Sequence, residues 1–447
     1  MENKTFTEGP ILGPMLKFAI PVVLALVLQS LYGAVDLLVV GQFASSADAS
    51  AVSTGSQIMQ TLTSVMAGLA MGTTILLGQQ LGGHHNRDAG KTVGASISLF
   101  GVLGIIFSIV IYLNAGGISS IMNAPKAAFD QTVAYVSVCG AGMIFITAYN
   151  LLGSLFRGLG NSKIPLISVG IAAIINIVCD LIFVCVFHLG SLGAALATVL
   201  SQAISVIFSI FIISRLELPF EFKKADIHFD MHLIKRIIGF GFPLALADLL
   251  VGLSFLVILA IVNTLGVEAS AGVGVAEKVC AFIMLVPSAF SQSMAAIVAQ
   301  NYGANKMDRA LKALKYGMLV SFLVGVVMAY FSFFHGDILC RIFSNDNEVV
   351  ERGWQYLKAY AIDCLLTPLF FCMAGYFNGC GKTKFVMAEN LIGAICIRIP
   401  VSYFMSLIKP ASLFLIGLGT PSSSFVQTLL CLGYLLILKK RSSKTTS

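Results

Sequence analysis

The chain has 447 residues, of which 57% are hydrophobic and 11% are charged, and its mean hydropathy is +0.91. Soluble domains carry about 25% charged residues, so this composition excludes a soluble globular protein. The formal net charge is +7, but basic loops at the inner leaflet of a membrane account for such an excess without any nucleic-acid partner. The sequence therefore predicts an all-α integral membrane protein.

Apolar runs of about 20 residues, the length that crosses about 30 Å of hydrocarbon as a helix, divide the chain into predicted spans. The first run is expected to be an uncleaved span, because acidic residues and no small-residue cleavage site precede it. The runs predict twelve transmembrane helices, at 15–41, 54–78, 92–113, 132–156, 164–187, 190–214, 237–263, 270–299, 314–334, 354–378, 386–408 and 412–438.

The basic residues orient these spans. If the N-terminus is cytoplasmic, 21 of the 28 Lys and Arg residues fall in cytoplasmic segments and 4 fall in outer loops. Such an asymmetry sets the topology of a multi-pass protein. We therefore expect a cell-membrane protein with both termini in the cytoplasm.

The chain repeats itself. Three pairs of segments match at an offset of 221 or 222 residues: FRGLGNSK at 156–163 with FNGCGKTK at 377–384, QQLG at 79–82 with QNYG at 300–303, and KFAIP at 17–21 with GFGFP at 239–243. Six spans per repeat return the chain to its starting side, so both halves have the same orientation. This pattern predicts two six-helix lobes, residues 1–220 and 221–447, related by a pseudo-twofold axis along the membrane normal.

The linker between the repeats, RLELPFEFKKADIHFDMHLIKR at 215–236, is the longest polar connection. Its mixture of charged residues favours a solvated tether with a short surface helix.

Ionisable residues inside the predicted spans are costly and indicate function. The second lobe carries both signs: the acids Asp248, Glu277, Asp363 and Glu389 and the bases Lys278, Lys358 and Arg398. In the first lobe the deep ionisable residues are Asp36 and Asp180, and no basic residue is placed to neutralise either one.

The helical spacing groups polar residues around these two aspartates. Gln29, Tyr32 and Asp36 share one face of the first span, Asn176 and Asp180 share one face of the fifth, and Thr198 begins a polar face on the sixth. Asp36 and Asp180 both lie in the outer halves of their spans and could share one pocket. They could be protonated structural residues, or they could exchange a proton or a sodium ion. The residues alone leave both readings and both ions open.

Pro21 lies near the start of the first span, where it either allows a functional bend or forms a static kink. The histidines are not clustered as metal ligands are, and GCGKT at 379–383 lacks the first glycine and the preceding strand of a phosphate-binding loop. The sequence thus predicts neither a metal site nor a nucleotide site.

The twelve spans in two repeats, VDLLVVGQF at 35–43, NIVCD at 176–180, GAALATVLSQ at 193–202 and the paired glycine motifs together resemble the multidrug and toxic compound extrusion (MATE) transporters. The resemblance implies a cation-coupling site formed by Asp36, Asn176, Asp180 and Thr198. It also implies that Pro21 is a helix-bending residue, and that a substrate cavity is lined by Gln29, Tyr32, Tyr135 and Asn150. In another branch of the family, acids of the seventh and tenth spans take the coupling role.

We therefore expect an antiporter that exports organic, cationic or amphipathic compounds in exchange for protons or sodium ions. Beyond the coupling ion we expect no cofactor and no enzymatic activity, and we expect a monomer in the lipid bilayer with a small-molecule substrate and no nucleic acid. The alternative function is a flippase for lipid-linked oligosaccharide or another amphipathic lipid, and an intramembrane enzyme is more distant.

Overall fold

The computed structural model describes residues 6–445, and across them the secondary structure is helical, without a β-strand. Within this range eleven helices are long and apolar enough to cross a membrane, and a bent helix pair makes a twelfth span. The prediction of twelve spans is confirmed. The first residues of the chain, which bear on the expected uncleaved start, lie outside the described range.

Numbered in chain order, the spans are Leu12–Phe43 (span 1), Ser46–Gly82 (span 2), Asn86–Ile121 (span 3), the bent pair Lys126–Ala141 and Met143–Gly158 (span 4), Lys163–Val186 (span 5), Gly190–Arg215 (span 6), Met231–Asn263 (span 7), Val267–Gly303 (span 8), Met307–Phe334 (span 9), Asn347–Gly379 (span 10), Thr383–Ser406 (span 11) and Leu413–Lys440 (span 12).

Span 4 bends by 52° where its two helices meet at Gly142. A side chain at Gly142 would collide with Val199 of span 6, so a glycine is needed for this close approach. The sequence predicted one continuous span here, because hydropathy indicates the length of an apolar segment and not a change in the direction of its helix axis.

The sequence repeat extends to the backbone conformation. Gly160 and Gly381, at matching places in the paired glycine motifs, have φ angles of +78° and +73°. In each motif the amide of the next residue donates to the carbonyl of the phenylalanine that begins the motif, at 2.9 Å in the first copy and 2.8 Å in the second. Positive φ is accessible to glycine at little cost, and this explains why both copies keep a glycine there.

The chain forms two compact units. The first unit consists of residues 6–9, Leu16–Ala245 and Ala299–Asn305, and the second of Pro10–Met15, Leu246–Val298 and residues 306–445. A core that includes Val40, Val52 and Met66 lies in the first unit, and one that includes Ile258, Val273 and Leu357 lies in the second. The division of the sequence into residues 1–220 and 221–447 stays a prediction.

Two glycines of the first unit make a reciprocal helix contact. A side chain on Gly82 would collide with the carbonyl of Gln300, and one on Gly303 would collide with the carbonyl of Gln79. These four residues come from the matching QQLG and QNYG segments, so the repeat brings its own two copies together here. Only glycine allows the two backbones to approach this closely.

The linker before span 7 is docked onto the first unit at Phe220 and Asp226, whereas Glu221 and residues 223–225 between them are exposed, as a solvated tether predicts. Arg87 of span 3 donates two hydrogen bonds to the Asp226 carboxylate, from Nη2 to Oδ1 at 2.7 Å and from Nη1 to Oδ2 at 2.8 Å. The Asp226 side chain is 3% exposed. The guanidinium holds the pKa of Asp226 below its usual value.

Glycines on span 3 explain this docking. A side chain on Gly90 would collide with the carbonyl of Glu221, and one on Gly94 would collide with the carbonyl of Asp226. Their spacing of four residues places both on one helical face and leaves a groove for the linker backbone. Phe220 is buried beside this groove and joins the core of the first unit. The composition of the linker predicted that it is solvated, because the groove that receives it lies on span 3 and leaves no sign in the linker sequence.

Candidate ion-coupling site

Span 5 carries two polar residues one turn apart, Asn176 and Asp180, and both are fully buried. The regular α-helix ends at Asp180, and the span continues as a π-helical turn over Leu181–Val186. Such turns rearrange the backbone hydrogen bonds and occur frequently at functional sites. The turn begins immediately after the aspartate that the sequence singled out.

Span 1 brings Asp36 to the same place. Asp36 is 5% exposed, and Thr198 of span 6 donates its Oγ1 hydrogen to Asp36 Oδ2 at 3.3 Å. Asp36 and Asp180 lie close enough for their carboxyl groups to interact, and Asn176 lies beside them. Three spans thus bring together the four residues of the expected coupling site.

Most polar atoms of this cluster lack a hydrogen-bond partner within the described chain: Asp36 Oδ1, both carboxylate oxygens of Asp180 and both amide atoms of Asn176. An ionised carboxylate only accepts hydrogen bonds, so two facing carboxylates cannot satisfy each other. Burying such groups without partners is costly. A shared proton or a bound cation would remove the repulsion and supply the missing partner.

Basic side chains do not contribute to this cluster. Over the described residues, no Lys, Arg or His forms an ion pair with Asp36 or Asp180. Arg157, a half-buried arginine of span 4, donates instead to Ser154 Oγ of its own helix at 2.9 Å. The cluster therefore has acceptor oxygens and two ionisable carboxyl groups without a basic partner among the described residues.

The sequence resemblance placed Tyr135 among cavity residues, and the structure places it deep beside the aspartates. It is 2% exposed, its hydroxyl lies within reach of Thr198, and a side chain on Gly55 would collide with its ring. In this position Tyr135 supports the threonine that contacts Asp36. Gly55 on span 2 leaves the space that the Tyr135 ring occupies. The spacing of residues within one helix does not predict this contact between two helices.

The other three expected cavity residues differ from one another. Tyr32 is half-buried and lies near both Gln29 and Gln202. Asn150, also half-buried, donates to the carbonyl of Ile146 in its own helix at 2.8 Å. Gln202 was not among the expected cavity residues, although its position four residues after Thr198 puts it on the same helical face.

Pro21 lies inside span 1, which continues as one helix from Leu12 to Phe43. The proline ring removes one backbone hydrogen bond without ending the helix. Asp36, Tyr32 and Gln29 follow on the same helix, so a change of direction at Pro21 would move all three.

The second unit has a different polar core. Asp363 of span 10 is 2% exposed and accepts a hydrogen bond from Thr367 Oγ1 at 2.8 Å. Arg398 of span 11 is 5% exposed and donates from Nη1 to Ser254 Oγ at 2.9 Å. The core of this unit thus contains a buried base, Arg398, as well as the buried acids Asp363 and Glu389.

The relatives of the chain are bacterial drug-resistance proteins. It is 26% identical to the probable multidrug resistance protein YpnP of Bacillus subtilis, over 91% of each chain. It is 26% identical to the multidrug export protein MepA of Staphylococcus aureus, over 90% of this chain and 88% of that protein. It is 24% identical to the probable multidrug resistance protein NorM of Thermotoga maritima, over 90% of this chain and 87% of that protein.

Solved structures share the fold. A multidrug resistance MATE family transporter in an outward-facing conformation superposes with a TM-score of 0.91 at 18% identity, covering 100% of this chain and 99% of that one. A MOP superfamily transporter from Pyrococcus furiosus superposes with a TM-score of 0.92 at 18% identity, with the same coverage. The predicted fold class, an all-α membrane protein of MATE type, is confirmed.

The family model named MatE matches the chain twice, at residues 21–182 and 243–404. The two matches cover most of the chain and fall one in each half of the sequence repeat. With the drug-resistance relatives and the shared fold, they show that the chain belongs to the MatE family of multidrug and toxic compound extrusion transporters.

Proposed function

We propose that this protein is an antiporter that exports organic compounds, cationic or amphipathic in character, and couples their export to entry of protons or sodium ions at Asp36 and Asp180. The observation that carries the proposal is the buried pair of facing carboxylates with no basic partner among the described residues. A pair of this kind needs a mobile cation to be stable in a low-dielectric interior.

Coupling follows from the difference between the two states of the site. Without a bound ion the carboxylates repel each other and favour an arrangement of spans 1, 5 and 6 that separates them. With the ion bound, the repulsion is lost and the close arrangement is favoured. An ion can shift this equilibrium only to the extent that it binds the two arrangements with different affinity. Because Gln29 and Tyr32 lie on the same helix as Asp36, the shift would change the groups that meet the substrate.

The donor set is compatible with either ion. Carboxylate, hydroxyl and amide oxygens from Asp36, Asp180, Thr198 and Asn176 suit a hard cation such as sodium. Two carboxylates in contact also suit a shared proton. We propose that the substrate is positively charged because the charge of the first unit's core is negative, and a cation is attracted to it. The drug-export relatives give no support to the lipid-flippase alternative.

We further propose that the protein acts as a monomer in the cell membrane with both termini in the cytoplasm, and that it needs no cofactor besides the coupling ion. The excess of basic residues on one side of the spans supports this orientation.

The test is transport in proteoliposomes. Purified protein would be reconstituted with an imposed proton or sodium gradient, and movement of ethidium, a fluorescent organic cation, would be followed. Asp36→Asn and Asp180→Asn should each reduce gradient-driven transport to the level of protein-free liposomes. Asp130→Asn makes the same change at an exposed position of the first unit and should transport normally. Undiminished transport by both site variants would refute the assignment.

A further inference from the structure

The second unit contains a buried acid that the proposed coupling site does not use. Glu389 of span 11 is 1% exposed. Its Oε2 has no hydrogen-bond partner among the described residues, and no Lys, Arg or His of that part of the chain forms an ion pair with it. An ionised carboxylate without a counter-charge is costly in such surroundings. Glu389 therefore needs a cation that the chain does not supply.

A network of polar side chains holds the other oxygen of Glu389. Asn390 donates from Nδ2 to Glu389 Oε1 at 3.0 Å, and Gln427 of span 12 donates from Nε2 to Asn390 Oδ1 at 3.2 Å. Ser423, one turn before Gln427, donates its hydroxyl hydrogen to Gln427 Oε1 at 3.2 Å. Gln427 and Ser423 are both buried. The network links span 11 to span 12 and ends at the carboxyl group.

The backbone of span 11 makes room for this network. A side chain on Gly393 would collide with both Gln427 and Ser423, so a glycine lets these polar side chains lie against the helix. The regular helix ends at Leu391, and the span continues as the π-helical turn Ile392–Arg398. Such turns are frequent at functional sites. In span 11, as in span 5, the turn closely follows a buried acid.

An aromatic cluster covers the site on the side where span 11 begins. Phe385 lies one turn before Glu389 on the same helical face. Its ring stacks on Tyr434 of span 12, with the ring centroids 4.0 Å apart, and Phe377 of span 10 packs at an angle against both rings. In the proposed orientation span 11 begins at the cytoplasmic side, and Glu389 lies about 9 Å along the helix from its first residue, Thr383. The aromatic cluster therefore lies between the carboxyl group and the cytoplasm.

The other titratable and charged groups around this end of span 11 do not neutralise Glu389. Cys431 of span 12 is fully buried and lies close to Glu389, but a thiol carries no positive charge. Arg398, nine residues further along span 11, donates to Ser254 instead. The remaining groups on the packed elements, none of which forms an ion pair with Glu389 among the described residues, are Tyr434 of span 12, Tyr376 and Cys380 of span 10, and Lys382 and Lys384 where span 11 begins.

We propose that Glu389 is a proton-binding site of the second unit, and that its proton exchanges with water on the cytoplasmic side past the stack of Phe385 and Tyr434. This goes beyond the proposed function, because the site is separate from Asp36 and Asp180. A proton removes the charge without further ligands. A metal cation needs several oxygen ligands at once, whereas the amide oxygens of Asn390 and Gln427 each already accept a hydrogen bond.

The first experiment detects the proton. Infrared spectra of purified protein would be recorded at neutral pH in the region of the carboxylic-acid C=O stretch, where ionised carboxylates do not absorb. Glu389→Gln should lose one band of the wild type. Glu217→Gln makes the same change at an exposed position and should lose none. A spectrum that Glu389→Gln leaves unchanged, or a Glu389 band that disappears when sodium is added at constant pH, would overturn the proposal.

Transfer of the protein into heavy water tests the exchange path. The Glu389 band should shift as deuterium replaces the proton, and it should shift faster in Phe385→Ala, which opens the aromatic stack. Phe404→Ala removes an exposed ring from the same span and should leave the rate unchanged. A band that never shifts, or one that shifts equally fast in Phe385→Ala and Phe404→Ala, would refute exchange past the stack.

Thermal stability gives an independent readout. A folded state that holds a proton which the unfolded state has released loses stability as the pH rises. On a step from neutral to alkaline pH, the melting temperature of the wild type should therefore fall further than that of Glu389→Gln, which keeps the size and the hydrogen-bonding groups of the neutral acid. Equal falls, or a Glu389→Gln variant that is destabilised at every pH, would show that the native residue carries no proton.

None of these readouts depends on Asp36 or Asp180. Failure of the antiport mechanism would appear as normal transport by Asp36→Asn and Asp180→Asn, whereas failure of this inference would appear in the spectra and the melting temperatures of the Glu389 and Phe385 variants.

Discussion

The two units are built from the same repeat, but their polar cores differ in charge. In the first unit Asp36 and Asp180 face each other, with Thr198 as a hydrogen-bond donor and no base among the described residues. In the second unit Asp363 and Arg398 are both buried, and Arg398 contacts Ser254 and Phe255. Both cores bury ionisable groups at a cost, but among the described residues only the second unit also buries a base.

This difference bears on how a duplicated fold divides its task between two units. Buried charges are kept where they compensate each other or where they bind something. Under the proposed function, the coupling ion would be what the buried acids of the first unit bind.

The largest expected effect comes from placing a buried base in the core of the first unit. Asn176→Arg places a tethered cation beside Asp36 and Asp180, which have no basic partner among the described residues. The variant should fold, because the aspartates neutralise the added charge, but gradient-driven ethidium transport should fall to background. Asn176→Met removes the amide without adding a charge, and its side chain is closer in length to that of arginine. It therefore controls for the loss of the amide. Transport measured in proteoliposomes near the wild-type level for Asn176→Arg would contradict the comparison.

The next contrast separates transport from stability. Asp36→Asn should abolish coupling without lowering the melting temperature, because it removes a buried carboxylate that has no counter-charge. Asp363→Asn should leave the ion dependence of transport unchanged but cost about 1 kcal/mol of stability, because the Thr367 hydroxyl then donates to a neutral amide and not to a carboxylate. Thermal unfolding in detergent and gradient-driven transport would be measured on the same preparations. If both variants lose coupling without losing stability, or both lose stability without losing coupling, the two cores are equivalent.

The sequence predicted the parts of this comparison that depend on one helix at a time. Spans follow from apolar length, and Asn176 with Asp180 follows from helical spacing, so both could be recognised. The sequence did not predict how separate segments pack against each other. Examples are the groove at Gly90 and Gly94 that receives the linker, and Gly55, which leaves space for the Tyr135 ring.

A smaller effect should distinguish a buried threonine of the second unit from the threonine of the coupling site. Thr198→Val removes the hydrogen bond to Asp36 Oδ2, and a bond to a charged group is worth about 1.5 kcal/mol at the low end, or roughly tenfold in apparent ion affinity. Thr420→Val makes the same substitution at a buried hydroxyl that has no hydrogen-bond partner among the described residues, and it should leave ion affinity unchanged. The dependence of transport on external proton or sodium concentration measures both. Equal shifts in the two variants would place an ion in each unit.

The smallest effect concerns the linker, which is docked on the first unit. Arg87 lowers the pKa of Asp226, so the stabilisation is present above the ordinary aspartate pKa of about 3.9 and is lost as the pH falls through the lower value of the folded state. Arg87→Ala should therefore lower the melting temperature slightly at neutral pH, and its difference from the wild type should shrink on acidification. Lys91→Ala, which removes an exposed pair with Asp88 at 3.9 Å, should shift the melting temperature less. If the deficit of Arg87→Ala stays constant from neutral to acidic pH, the pair does not hold the linker, and the asymmetry between the units is confined to their polar cores.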